Sequence, residues 1–182
     1  EKGFLDASVK RICENAGVTT GALYKRYKGK AELFDAVVEP TYEQIRKIGS
    51  SRMDRSIKIL NDNELVRLWE NPVENYKQTV NFLYDNYEGL RLLLISAEGT
   101  RHHDFSHRYV ENVTEATYEV SKEVYKKGLS KKLIDWDTLH MLLSAYCTVL
   151  FEPIRHGFSR EKALKAAEEL AVFFNWKDAL GY

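Results

Sequence analysis

Apolar side chains recur at intervals of three and four residues along almost the whole chain. Leu33, Phe34, Val37, Val38, Ile45 and Ile48 form one such stripe, and Tyr76, Val80, Leu83, Tyr84 and Tyr87 form another. A third runs through Tyr109, Val113, Ala116, Val120, Val124 and Tyr125. That spacing puts each set on one side of a helix, whereas a half-buried strand would need strict alternation. The chain has only three prolines and no Asn-Gly or Asp-Gly pair to turn a hairpin. The pattern predicts an all-α fold.

Helix punctuation divides the chain. Gly49-Ser50-Ser51 is expected to end the first long helix, and Asn71-Pro72 to open another, because proline suits a first helical turn. Glu98-Gly99-Thr100 closes a short apolar helix that begins near Glu88. Gly128 and Asp135-Trp136-Asp137 separate two more, and His156-Gly157-Phe158-Ser159 joins the last pair, with Ser159 as N-cap. The stripe that opens at Lys30 continues past Pro40 to about Ile48. Proline offers no N–H to the Ala36 carbonyl and its ring crowds that carbonyl, so a bend or restart is expected near Ala36–Pro40, as a joint between head and body. At the front, Gly3-Phe4-Leu5 reads as the exit from an earlier helix, so a leading helix is expected to be missing.

The opening segment carries the chemistry. Asp6 to Asn15 is expected to be a short helix with Val9, Ile12 and Cys13 inward. Ala16-Gly17-Val18 makes a tight turn in which Gly17 is free to take positive φ. A second helix starts at Thr19 or Thr20, either of which caps its free N–H groups. Leu23 and Tyr27, four apart, are expected to point together toward Ile12 and Val18. The opposite side presents Thr20, Ala22, Tyr24, Lys25 and Arg26. Two short helices about a glycine turn are a helix-turn-helix, whose second helix enters the DNA major groove. Gly21 and Ala22 allow close approach, Tyr24 offers a hydroxyl and a ring edge, and Arg26 reaches a phosphate or guanine edge. Lys30, at the next helix start, suits a phosphate oxygen.

Charge adds to that picture. Net charge is zero, yet residues 1–30 carry seven Lys/Arg against three Asp/Glu, and the remainder is acidic. A basic head on an acidic body fits a polyanion partner for the head alone. The two cysteines, Cys13 and Cys147, match neither a disulfide framework nor a zinc spacing, so a reducing cytoplasm is the expected compartment. No apolar run approaches the ~20 residues of a membrane span, and nothing at the front reads as a signal peptide.

Ser8 through Phe34 resembles the DNA-binding signature of the TetR family, bacterial one-component repressors. The matching features are Ile12, Ala16-Gly17-Val18, Gly21, Leu23-Tyr24, Tyr27, and Lys30 followed by Glu32-Leu33-Phe34. The likeness covers about residues 4–36, and Cys13 replaces the commoner alanine. It implies DNA contacts by Lys10, Thr20, Gly21, Ala22, Tyr24, Lys25 and Arg26, with Lys30 as phosphate anchor and Leu23 and Tyr27 in the core. It also implies two units, a DNA-binding head with connecting helix over residues 1–48 and an effector-binding, dimerising body over residues 49–182.

The rest of the chain suits such a body. Leu139, Leu142, Leu143, Ala145, Tyr146, Val149 and Leu150 leave their helix little polar face. The final helix, over about 159–175, carries Ala163, Ala166, Ala167, Leu170, Ala171, Phe173 and Phe174, small enough in places for close approach of a partner. A two-fold homodimer on these helices is expected. Aromatic residues are dense from 69 to 151, and Trp69, Tyr76, Tyr84, Tyr109, Tyr118 and Tyr146 are the candidates to line a pocket for a small apolar or aromatic effector. His102, His103 and His107 are expected to be solvated at a loop–helix junction rather than to bind metal, and Cys147 to be buried and inert. No cofactor is expected. With no phosphate-cradling glycine loop, HExxH or nucleophile elbow, the chain is not expected to be an enzyme. The expected function is a ligand-responsive dimeric repressor on an inverted-repeat operator. The alternative is an architectural or activating DNA-binding regulator with no inducer, and retained operator binding across a ligand screen would favour it.

Overall fold

The computed structural model describes residues 3–59 and 71–181, with residues 48–59 described through their backbone only. Among these residues every regular element is helical. They are α1 (Val9–Asn15), α2 (Thr20–Arg26), α3 (Lys30–Ile59), α4 (Pro72–Asp85), α5 (Tyr87–Ile95), α6 (Phe105–Lys126), α7 (Trp136–Arg155), α8 (Arg160–Lys165), α9 (Ala167–Phe173) and α10 (Trp176–Leu180). The all-α expectation holds.

Several helix ends fall where local chemistry sets them. Gly128 and Gly157, just past α6 and α7, take φ of 69° and 63°, a left-handed conformation that favours glycine. α5 ends at Ile95, four residues before the Gly99 expected to close it. Asp135 caps α7 by accepting from the Thr138 N–H at 3.0 Å, and Ser159 caps α8 by accepting from the Lys162 N–H at 3.2 Å.

Two breaks differ from the expectation. α3 runs unbroken through Pro40 and through Gly49-Ser50-Ser51, so the helix neither restarts at the proline nor ends at the glycine. An interior proline costs about 3 kcal/mol, which a packed face outweighs. Pro40 is exposed, while Val38, Thr41 and Ile45 beside it are buried against the body. The boundary expected at residue 48 therefore lies inside one helix. The final helix differs in the opposite sense: it is divided at Ala166 into α8 and α9. The chain then leaves the helix at Phe174 and folds back as α10, whose Leu180 packs on Leu139 and Leu143 of α7.

One large core joins α3 to α7 with α8 and α9. Val38, Val80, Leu90, Phe151 and Ile154 are all at most 2% exposed within it. Ala163 and Ala167 belong to this cluster at 3% and 0% exposed, where α8 and α9 lie against α4. The small residues expected to admit a partner subunit thus admit α4 of the same chain. Cys147 is 2% exposed in the same core, and burial pushes its thiol up to about 12. At about pH 8 the folded protein is expected to resist alkylation there, since thiolate is the reactive form, and to label fully once unfolded. Mass spectrometry after labelling checks this, and rapid native labelling of Cys147 would contradict the burial.

Candidate nucleic-acid interface

The head is built on a short polar turn. Gly17 has φ 66°, and the Val18 N–H donates to the Cys13 carbonyl at 3.0 Å, which closes α1 and redirects the chain. The Thr19 hydroxyl then accepts from the Ala22 N–H at 3.1 Å and starts α2. Cys13 at 1% and Leu23 at 8% exposed hold the two helices together. α1 starts at Val9, later than the expected Asp6, with Ser8 in the N-cap position.

Val18 does not join that small core. It is 48% exposed, so it is not buried with Cys13 and Leu23. Tyr27 has left the helix, with extended φ −129° and ψ 134°, and the Arg26 guanidinium lies 5.7 Å from its ring centre.

Seven of the eight expected DNA-facing residues are exposed: Lys10, Thr20, Gly21, Ala22, Tyr24, Lys25 and Arg26. Tyr24 is 55% exposed, far more than a tyrosine held by its own fold needs. A Cβ on Gly21 would meet only the Thr19 hydroxyl, at 3.9 Å. The chain's own packing therefore does not require glycine there. Lys25 and Arg26 also fall in the last turn of α2, where cations favour the negative end of the helix dipole. The ion pair of Lys10 with Glu14 is long at 3.9 Å and largely exposed, so it holds Lys10 weakly.

Lys30 is differently placed. Its ammonium donates to the carbonyls of Phe4 at 2.6 Å, Leu5 at 3.1 Å and Ala7 at 3.1 Å. In the first turn of α3, Glu32 accepts from the Lys28 N–H and puts a negative charge near the helix start.

Behind the head, α3 is gripped by the loop between α5 and α6, a feature that the sequence pattern does not reveal. Arg101 pairs with Asp35 at 3.2 Å and with Glu39 at 2.8 Å. His102 is 3% exposed rather than solvated, with Nε2 3.1 Å from Asp35 Oδ1. The same Nε2 lies 3.2 Å from the Arg101 Nε–H, so Arg101, His102 and Asp35 meet at one point. Tyr42 meets the same imidazole edge-on at 5.5 Å. His103 and His107 are exposed, and His107 faces Glu111 at 3.3 Å. The only signal was a histidine beside an arginine in a loop, which cannot distinguish burial from exposure.

Of the candidate pocket residues, Tyr76, Tyr84, Tyr109 and Tyr146 lie in or against the main core, and Tyr118 lies apart from them. Tyr76 is 3% exposed in the main core, where burial raises its phenol pKa. Tyr109 packs on Phe151 at 5.1 Å, Tyr84 stacks on Tyr87 at 5.7 Å, and Tyr146 meets Phe174 at 5.1 Å. Tyr118 belongs to the second cluster with Leu139, Leu143 and Leu180. Trp69 lies outside the described residues. An open groove of about 490 Å³ between α4 and α8–α9 is lined by Lys77, Glu161, Leu164, Lys165 and Glu168, none of them expected to bind effector.

Residues 1–37 match the family model described as "Bacterial regulatory proteins, tetR family". No curated protein and no solved structure matches the chain. Among the described residues no helix is long and apolar enough to cross a membrane, and no group of three His, Cys, Asp or Glu is placed to hold a metal.

Proposed function

We propose that the chain, whose residues 1–37 match the tetR-family model, is a ligand-responsive homodimeric repressor that binds an inverted-repeat operator in the cytoplasm. One observation carries the DNA contacts: α2 turns Thr20, Gly21, Ala22, Tyr24, Lys25 and Arg26 outward together, with Lys10 of α1 also exposed. Tyr24 and Arg26 reach base edges or phosphates, and Lys10 and Lys25 flank them as phosphate contacts. Replacing Arg26 or Tyr24 with Ala is expected to weaken binding to a duplex selected by the wild-type protein by about 1–3 kcal/mol, roughly 5- to 150-fold. Titrations by fluorescence anisotropy at several salt concentrations check this. Binding indifferent to both replacements would overturn the assignment.

The effector is a small apolar or aromatic molecule held in the body among Tyr76, Tyr84, Tyr109, Tyr118, Tyr146 and Trp69. Its binding lowers operator affinity only if the pocket differs between the DNA-bound and free forms. The second reading is a regulator with no inducer. The separation of Tyr118 from the candidate tyrosines Tyr76, Tyr84, Tyr109 and Tyr146 favours it, and operator affinity unmoved across a ligand screen would establish it.

A further inference from the structure

We propose that Lys30 is a positioning residue for DNA recognition: its ammonium clasps residues 4–7 and through them fastens the reading head to the loop after α5. The inference rests on the DNA-binding reading above and replaces a phosphate contact by this residue with an internal one.

An ammonium has three N–H donors and no acceptor. Lys30 directs them at three carbonyls of one short segment, those of Phe4, Leu5 and Ala7, at 2.6, 3.1 and 3.1 Å. The Phe4 ring lies 4.5 Å from the same nitrogen and adds a cation–π contact. A phosphate could be taken up only by releasing one of these partners. The position also matters, because Lys30 opens α3, where the helix dipole disfavours a cation. Turning the charge back onto carbonyl oxygens offsets that.

The clasped segment is itself anchored to the body. The Phe4 N–H donates to the Ser96 carbonyl at 2.9 Å, and the Phe4 ring meets Phe34 of α3 edge-on at 5.5 Å. Leu5 lies over Gly99, where an added Cβ would fall 2.4 Å from its Cδ2. Two residues further along, Arg101 and His102 grip Asp35 and Glu39 on α3. Residues 96–102 therefore touch the head's leading segment at one end and its connecting helix at the other. Lys30 links the two, so the angle at which α2 is presented depends on this loop.

The test compares full-length wild-type, Lys30→Ala and Phe4→Ala proteins on a duplex selected by the wild type from a randomised pool. Affinity is measured from about 50 to 300 mM salt, and amide hydrogen exchange is measured without DNA. A clasp predicts at least tenfold weaker binding for both variants, an unchanged salt slope, and faster exchange in residues 3–7 and 96–99. A phosphate ligand predicts a slope shallower by about 0.9 in Lys30→Ala, the share of one neutralised phosphate, with Phe4→Ala neutral. Either a reduced slope or unaltered exchange in Lys30→Ala overturns the proposal. If Lys30→Ala does not fold, Phe4→Ala decides alone, since it leaves the charge in place and loses affinity only under the clasp. Should the wild type select no duplex, the DNA-binding reading fails, while exchange in residues 3–7 still judges the clasp.

Discussion

Replacing Phe173 with Glu is expected to leave a folded monomer whose affinity for a duplex with two half-sites falls by about a hundredfold or more. Phe173 and its neighbour Val172 are 79% and 80% exposed. Phe174, the next residue, packs on Tyr146 of α7, which places the exposed pair at the edge of that helix. On α7 itself Met141, Ala145 and Thr148 are exposed, and their spacing puts them on one face. Each apolar side chain on a two-fold interface is buried twice, and full burial of a Phe or Val is worth about 1.5–3 kcal/mol. A carboxylate there would have to be desolvated against the partner, which no such gain offsets.

The exposure of Phe173 is also what makes the variant interpretable, because a surface substitution changes folding stability by only about 0.5 kcal/mol. A glutamate at Ala167, by contrast, would enter a site that is 0% exposed against α4 and would test folding instead of assembly. Sedimentation equilibrium and binding to one- and two-site duplexes are the measurements. A wild-type protein that is monomeric at micromolar concentration, or a Phe173→Glu protein that remains a dimer, would remove the proposed interface.

The head was the most legible part of the chain because its chemistry is local. Thr19, Gly17 and Leu23 act within a few residues of themselves, so a cap, a positive φ and a buried position follow from spacing alone. Helix termination was legible where glycine takes a left-handed conformation just past the cap, as at Gly128 and Gly157. It was not legible at Gly49, because a helical glycine and a stop glycine look identical in sequence. The alanine-rich end was expected to admit a partner subunit, but sequence does not say which helix approaches. In the structure it is α4 of the same chain. The loop 96–102 was hidden for a related reason: Asp35 and His102 meet only after α5 has returned the chain to α3. Long-range pairs of this kind leave no local periodicity. The aromatic residues gave a pocket only as a set of candidates, since a ring at helical spacing is equally suited to a core, where Tyr76 lies.

The packing of α3 on α5 supports a second expectation of large effect: Gly89→Ala should destabilise the protein, although alanine is the better helix former by about 1 kcal/mol. A Cβ on Gly89 would lie 2.0 Å from the Thr41 hydroxyl oxygen and 2.7 Å from Thr41 Cβ. Thr41 cannot easily move aside. It is 8% exposed, and as a β-branched residue in a helix it has few χ1 alternatives. The two helices must therefore separate, and overpacking of this kind costs about 1–3 kcal/mol, occasionally more. Allowing for the gain in helix propensity, the expected loss is about 2 kcal/mol, or roughly 4–8 °C in Tm for a chain of this size. Adding Thr41→Ala should restore only part of it, because the hydroxyl and methyl leave while the Cβ at 2.7 Å stays. Since α3 carries the head, a shifted α3 should also weaken DNA binding. The salt slope should not change, because no Lys or Arg of the recognition face is touched. Thermal unfolding of the single and double variants decides the matter: a Gly89→Ala protein as stable as wild type, or a Thr41→Ala change that does not recover stability in its background, would show that this contact does not set the spacing of α3 and α5.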